Sequence, residues 1–307
     1  MRGVRTVRTQ EIWNRKGGSG QKSQQRNCPF FMMNYKIAYP DKPNMGDLLN
    51  KDMLEDIFHI QVERGDRLTS NMSGIGSGLH YAQWSLSVSN RLKQIAYLPF
   101  AAREYHVWGT GFLNSAGKAT PFYFSKMQFH CLRGKLTQNR VEAIIHQKLD
   151  IPLGDGGLLA ERWTGPQKKK YRIGIIPHFR EQDHPLVKKL NESYKDSTVI
   201  DLTEPPRTVV ETIGSCEYIL SSSLHGLIVA DSFHIPNMHI LFYPMGERIM
   251  GDGYKYSDYY SSFDLEDQPR LIDPDHLPTA AEIQENYKID EAAVEKKKDE
   301  LIRVFPR

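Results

Sequence analysis

Three serines, Ser221, Ser222 and Ser223, run straight into Leu224, His225 and Gly226, where an apolar stretch ending at Leu220 gives way to helical spacing. Hydroxyls, unpaired backbone N–H groups and one imidazole are thereby predicted at a helix N-terminus. Such an end carries partial positive charge and favours an anion. An imidazole titrates near neutrality, so His225 beside a bound anion suits proton transfer. Read from its residues alone, the same histidine also fits a packed or helix-capping role. His178 and Arg180 follow the apolar run Tyr171 to Ile176. They offer a second acid/base group and a guanidinium able to grip a carboxylate or phosphate with two parallel bonds. Arg133 and Lys255 are further cations for such a site, and Arg133 fits a structural ion pair equally well. Asn44 and Asp47 carry short polar groups that bind hydroxyls at fixed range. Asp47 also suits the start of a helix.

These residues need a scaffold, and the apolar pattern supplies one. Strands are predicted at residues 35–39, 72–75, 106–112 and 129–134, with helices at 48–58 and 135–148. After the linker-like stretch 164–170 a second series begins. Its strands are 171–176, 198–202, 218–220 and 239–242, and its helices 186–194, 208–215 and 224–233. Strands alternating with helices at this spacing predict an α/β protein with two facing Rossmann-like parallel-sheet domains and a cleft between them. The expected division is an N-terminal domain over 34–165, a C-terminal domain over 166–250, and a segment 251–307. That segment ends in a charged helix, 290–303, expected to return to the first domain. The glycine turns at 74–78 and 109–111 do not complete the spacing of a dinucleotide fingerprint, so tight turns at the sheet edge are expected there.

Composition narrows the function. Residues 1–33 hold seven Lys/Arg and a single acid, Glu11, a net +6 within an overall +3, so the remainder carries −3. They lack an apolar repeat and are expected to be a disordered basic extension, with Met32 or Met33 as an alternative natural start. The mildly acidic body gives no footprint for nucleic acid. The three cysteines, Cys28, Cys131 and Cys216, are scattered, and the histidines show no metal-ligand spacing. A cytoplasmic protein needing neither metal nor cofactor is expected, with peripheral contact at the inner face of a membrane.

The segment from Ser221 to Asn237 resembles the signature strand–helix of the polysaccharide pyruvyl transferase family: serines, then Leu-His-Gly, an apolar helix, and a turn with Ile235-Pro236. Pro43 to Asn50, the glycine turns at 74–79 and 107–112, Leu132 to Thr137, Gly154 to Leu159, Ile175 to Arg180 and Asp258 to Phe263 resemble further family segments in the same order. Lys135 and Gly156 replace prolines usual there, and Ser223 stands where many relatives carry arginine, a charge that Arg180 or Lys255 can supply. The resemblance implies a fold similar to the GT-B glycosyltransferases and transfer of a pyruvyl group from phosphoenolpyruvate to a sugar, with phosphate released. It implies donor contacts at Arg133, Arg180, Ser222, Ser223, Leu224, His225, Gly226 and Lys255, with His225 and His178 catalytic. It places acceptor contacts at Asn44, Asp47, Ser77 and Gly111, the acceptor being a lipid- or nucleotide-linked saccharide. Tyr254, Tyr256, Tyr259 and Tyr260 either stack on sugar faces or pack. A glycosyltransferase using a nucleotide sugar and a non-catalytic glycan- or anion-binding protein are the rival readings.

Overall fold

The computed structural model describes residues 33–40, 44–66, 69–82, 104–116, 124–244 and 252–307. The expected extension over 1–33 lies outside these residues except at Met33. Residues 32–307 form one compact unit, and within it the chain builds two five-stranded sheets.

The first sheet is made from β1 (Asn34–Ala38), β2 (Gln61–Gly65), β3 (Met72–Ser73), β4 (Tyr105–Val107) and β5 (Met127–Phe129). Its order is β2-β1-β3-β4-β5, and every pairing is parallel. The second uses β6 (Tyr171–Ile176), β7 (Ser197–Val199), β8 (Cys216–Ser221), β9 (Asn237–Leu241) and β10 (Arg270–Leu271). Its order is β10-β9-β8-β6-β7, again wholly parallel. The expected α/β class with two parallel sheets is the observed one.

The helices are α1 (Met45–Phe58), α2 (Leu79–Ala82), α3 (Lys135–Ile145), α4 (Ala160–Thr164), α5 (Pro185–Ser193), α6 (Pro206–Gly214), α7 (Leu224–Ser232), α8 (Tyr254–Ser261), α9 (Ala280–Asn286) and α10 (Glu291–Arg303). A 3-10 turn, Gly156–Leu159, leads into α4. Strands β8 and β9 are buried along most of their length because helices pack on the sheet there. Helix α7 is apolar around almost its whole circumference, as a helix enclosed by other elements must be. Of its nine residues all are buried except His225.

Four strands are shorter than the apolar pattern predicts: those expected at 72–75, 106–112, 129–134 and 198–202. The run at 106–112 leaves the sheet after Val107, since Gly109 takes a left-handed conformation (φ +61) in which L side chains are strained. The run at 129–134 likewise ends at Phe129. The chain beyond them stays ordered through isolated parallel bridges, Gly76 to Thr110, Thr110 to Leu132 and Leu132 to Leu153. Strand β2 has the sequence QVERG, with one apolar side chain, and carries no strand pattern of its own. It forms because β1 offers it a full register from Asn34–Gln61 to Ala38–Gly65.

The last helix closes on the first sheet. Trp108 Nε1 donates to the Leu301 carbonyl at 3.0 Å, Tyr35 Oη donates to the Pro306 carbonyl at 3.0 Å, and Phe305 stacks on Phe58. The buried Lys298 ammonium, also on α10, donates to the Ser232 carbonyl at the end of α7. One helix therefore ties both sheets together. Leu301 is fully buried, so Leu301→Ala is expected to cost about 2–5 kcal/mol of stability. Chemical denaturation checks this, and an unchanged midpoint would show that α10 contributes no packing. Among the described residues no helix is long and apolar enough to cross a membrane.

Candidate active site

Open parallel sheets bind ligands beyond the carboxyl ends of their strands, and here both sheets present those ends to one cavity of about 240 Å³. Beyond β1 it is lined by Tyr39, Pro40, Asn44 and Asp47, beyond β3 by Ile75, Ser77, Gly78 and His80, and beyond β4 by Leu113. The second sheet contributes His178, Phe179 and Arg180 after β6 and Ser223, Leu224 and His225 after β8. Lys255, on α8, completes the lining.

His225 reaches across from the second half into a cradle of glycines of the first. A Cβ at Gly46 would collide with its Nδ1, and one at Gly76 would lie 3.1 Å from Cε1 and 3.3 Å from Nε2. A Cβ at Gly157 would lie 3.8 Å from Cδ2. The imidazole is thus fixed by shape, with Nε2 buried and without a hydrogen-bond partner among the described residues. Burial, with Lys255 and Arg133 adding repulsion, pushes its pKa down to about 3. His178 is lowered to about 3 by burial and by the Lys255 and Arg180 charges. Both imidazoles are therefore neutral at pH 7.

Alanine at Gly46 is the cheapest probe of this cradle. Gly46 lies in the first turn of α1, where alanine is about 1 kcal/mol better than glycine for the helix itself. Gly46→Ala is expected to displace the His225 ring and cut activity at least ~10-fold, since misplacement near 1 Å costs up to ~100-fold. The circular-dichroism spectrum should stay that of the parent. Full activity would show that the ring position is not used.

The positive groups sit where folding alone does not favour them. Lys255 stands in the first turn of α8, against the positive end of the helix dipole. Its ammonium lies 4.9 Å from the Tyr256 ring centroid. Burial and Arg133 lower its pKa to about 8, while Asp47 and Glu181 oppose the fall. Asp47 is raised above the usual carboxylate range, chiefly by burial, against the bond from Asn44 Nδ2 to Oδ2 at 2.8 Å and the Lys255 charge. Arg180 is exposed at the mouth, its guanidinium 5.4 Å from the Phe179 ring centroid.

Some residues expected to touch a ligand stand behind the wall instead. Arg133 is wholly buried, paired with Asp258 at 2.8 Å and donating to the Gly76 carbonyl at 3.1 Å and Ser77 Oγ at 3.2 Å. Its charge reaches the cavity and its donors do not. Gly111 makes room for that guanidinium, because a Cβ there would sit 2.6 Å from Nη2. Gly226 packs α7 onto β6 and β8, where a Cβ would meet Ile176 and collide with Ser221 Oγ. Ser222 is buried with its hydroxyl donated to Glu181. Asp47 does not start the helix: Asn44 is the N-cap of α1, and Asp47 lies within its first turn. Tyr256 and Tyr259 are fully buried and form no sugar platform. His80, which reads from the sequence as structural or exposed, lines the cavity.

Fold and site together define an α/β protein whose two parallel sheets line one cavity with Lys255, Arg180 and two histidines. Residues 162–241, which include β6, β8 and α7, match the family model described as polysaccharide pyruvyl transferase. The chain is also similar to an uncharacterised protein of Acanthamoeba polyphaga mimivirus, 31% identical over 229 residues, covering 73% of this chain and 72% of that protein. A functionally uncharacterised protein of Klebsiella pneumoniae, known from its crystal structure, superposes with a TM-score of 0.43 at 14% identity. That alignment covers 79% of this chain and 93% of the other. The chain is of one family with the mimivirus protein, and its residues 162–241 belong with the polysaccharide pyruvyl transferases, a family of transferases.

Proposed function

We propose that the protein moves a pyruvyl group from phosphoenolpyruvate to a saccharide, joining two sugar hydroxyls in a pyruvate ketal and releasing phosphate. The observation that carries this reading is the convergence of Lys255, Arg180, His178 and His225 on one cavity at the facing ends of both sheets. A donor bearing a carboxylate and a phosphate needs several cations. Arg180 at the mouth and Lys255 inside share them, with Ser223 and the α7 N-terminus on the same lining. Ser223 caps α7 without a side-chain capping bond, which leaves its hydroxyl for the ligand.

Donor binding reverses the electrostatics around His225. At an effective dielectric of about 20, a unit charge at ~4 Å is worth about 4 kcal/mol, or about three pKa units. A phosphate dianion near the ring carries two such charges, enough to offset burial together with the repulsion from Lys255 and Arg133. The imidazole takes up a proton as the donor arrives and passes it to the methylene carbon. The cationic central carbon is captured by one sugar hydroxyl, and a second hydroxyl then displaces phosphate. Of the two hydroxyl protons, one makes good the proton given by His225 and the other leaves on hydrogen phosphate. Asp47, opposite the cationic wall and held by Asn44, relays the hydroxyl protons and ends the cycle ionised.

The acceptor enters on the side of Asn44, Asp47, Ser77 and His80. Incubation with phosphoenolpyruvate and a glycan extract is expected to release inorganic phosphate in step with a pyruvate-ketal mass gain on sugar. Release of a nucleotide from a nucleotide sugar, with phosphoenolpyruvate inert, would overturn the proposal in favour of glycosyl transfer.

A further inference from the structure

Glu181 is a carboxylate set just behind the cavity wall, next in sequence to the lining residues His178, Phe179 and Arg180. It is 9% exposed, and its Oε2 accepts the Ser222 hydroxyl at 2.6 Å. The same Ser222 oxygen accepts the His178 backbone N–H at 2.8 Å. The Glu181 N–H donates to the His178 carbonyl at 2.7 Å, closing residues 178–181 into a turn. From the other side the Tyr256 hydroxyl donates to the Ser222 carbonyl at 2.8 Å, on the helix that carries Lys255. The two ligand-facing loops of the second sheet and α8 thus meet at one serine, which one carboxylate holds in place.

We propose that Glu181 is a positioning residue of the donor wall: through Ser222 it fixes the His178–Arg180 loop, and its charge keeps Lys255 cationic for an incoming anion. The role of that anion as phosphoenolpyruvate rests on the function proposed above. The charge balance around Lys255 supports the assignment. Arg133 and burial act against its protonation, while Asp47 and Glu181 act for it. His178 and His225 also face it and are neutral at pH 7. Asp47 stands on the acceptor side and is itself raised by burial. Glu181 is the counter-charge on the donor side, and its turn holds one histidine and one arginine of the site.

Two variants separate position from charge. Glu181→Gln keeps an oxygen for the Ser222 hydroxyl and removes the charge. Ser222→Ala keeps the charge and cuts the link. The titration of Lys255 can be followed in the ligand-free protein by NMR of labelled lysine side chains, assigned with Lys255→Met. In Glu181→Gln its midpoint is expected to fall by about one pH unit, as loss of a nearby opposite charge requires. Phosphoenolpyruvate affinity should then weaken about tenfold at pH 8.5 and little at pH 6.5, the alkaline limit moving towards acid. Ser222→Ala should weaken binding equally at all pH values. Glu181→Asp, which restores the charge, should restore the midpoint if the glutamine variant folds poorly. An unchanged Lys255 midpoint in Glu181→Gln overturns the proposal. A shifted midpoint in a protein that binds no phosphoenolpyruvate leaves the positioning role standing and sinks the donor instead.

Discussion

Replacing His225 by asparagine is expected to lower kcat by ~10²–10⁴-fold, the usual worth of a general acid, while phosphoenolpyruvate still binds. Asparagine is smaller than imidazole and hydrogen-bonds, so the glycine cradle of Gly46, Gly76 and Gly157 accepts it without collision. What it lacks is a proton that can be taken up and given away. The pH dependence follows from the same electrostatics. His225 is neutral in the free protein, with a pKa near 3, and becomes protonated only in the complex. The kcat of the parent should therefore fall as pH rises through the pKa of the complex. The free-enzyme quantity, kcat/KM, should already decline across the neutral range, where the free imidazole is neutral, and more steeply above about 8, where Lys255 loses its charge. In His225→Asn the first limb disappears and the second stays. Near-normal turnover with intact donor affinity would remove His225 from the mechanism.

Lys255→Met is expected to produce the largest loss of donor affinity, ~10–100-fold, the equivalent of about 1.5–3 kcal/mol for a hydrogen bond to a charged group. Methionine fills the same volume without the charge, so the pocket keeps its shape. Arginine is not a conservative exchange there, because a buried ammonium occupies less space and offers donors in a different geometry. The same substitution has a second consequence. Lys255 is the foremost charge holding down both His178 and His225, so both imidazoles should titrate at higher pH in the variant. Affinity by calorimetry and imidazole titration by NMR check the two halves separately. Unaltered affinity would mean that the ammonium does not meet the donor.

The second sheet was largely legible in the residues. The apolar runs before Pro177 and before Ser221 are long enough to read as central strands, and a polar residue just past such a strand lies at a sheet's carboxyl end. His178, Arg180, Ser223 and His225 could be placed on one rim for that reason. Lys255 was legible as a cation but not as a buried one. Its helix is tyrosine-rich and irregular in pattern, and tertiary contacts bury it, including the bond from Tyr259 Oη to the buried Asp231. Arg133 was legible as charged, and its partner Asp258 is 125 residues away, a separation at which local spacing says nothing. Glu181 escaped notice because a glutamate in a polar loop normally faces water. Only the fold shows it turned inward onto Ser222. His80 was hidden by the same limit: a histidine after a glycine turn has no direction until the turn is built.

The claim on which the mechanism turns is that donor arrival protonates the imidazole of α7. Calorimetric titration with phosphoenolpyruvate at pH 7.5, in buffers of different ionisation enthalpy, measures protons exchanged on binding. The account predicts net uptake approaching about one proton per donor bound, reduced to a small fraction in His225→Asn. Tight binding with no proton uptake, or uptake unchanged in His225→Asn, would contradict it.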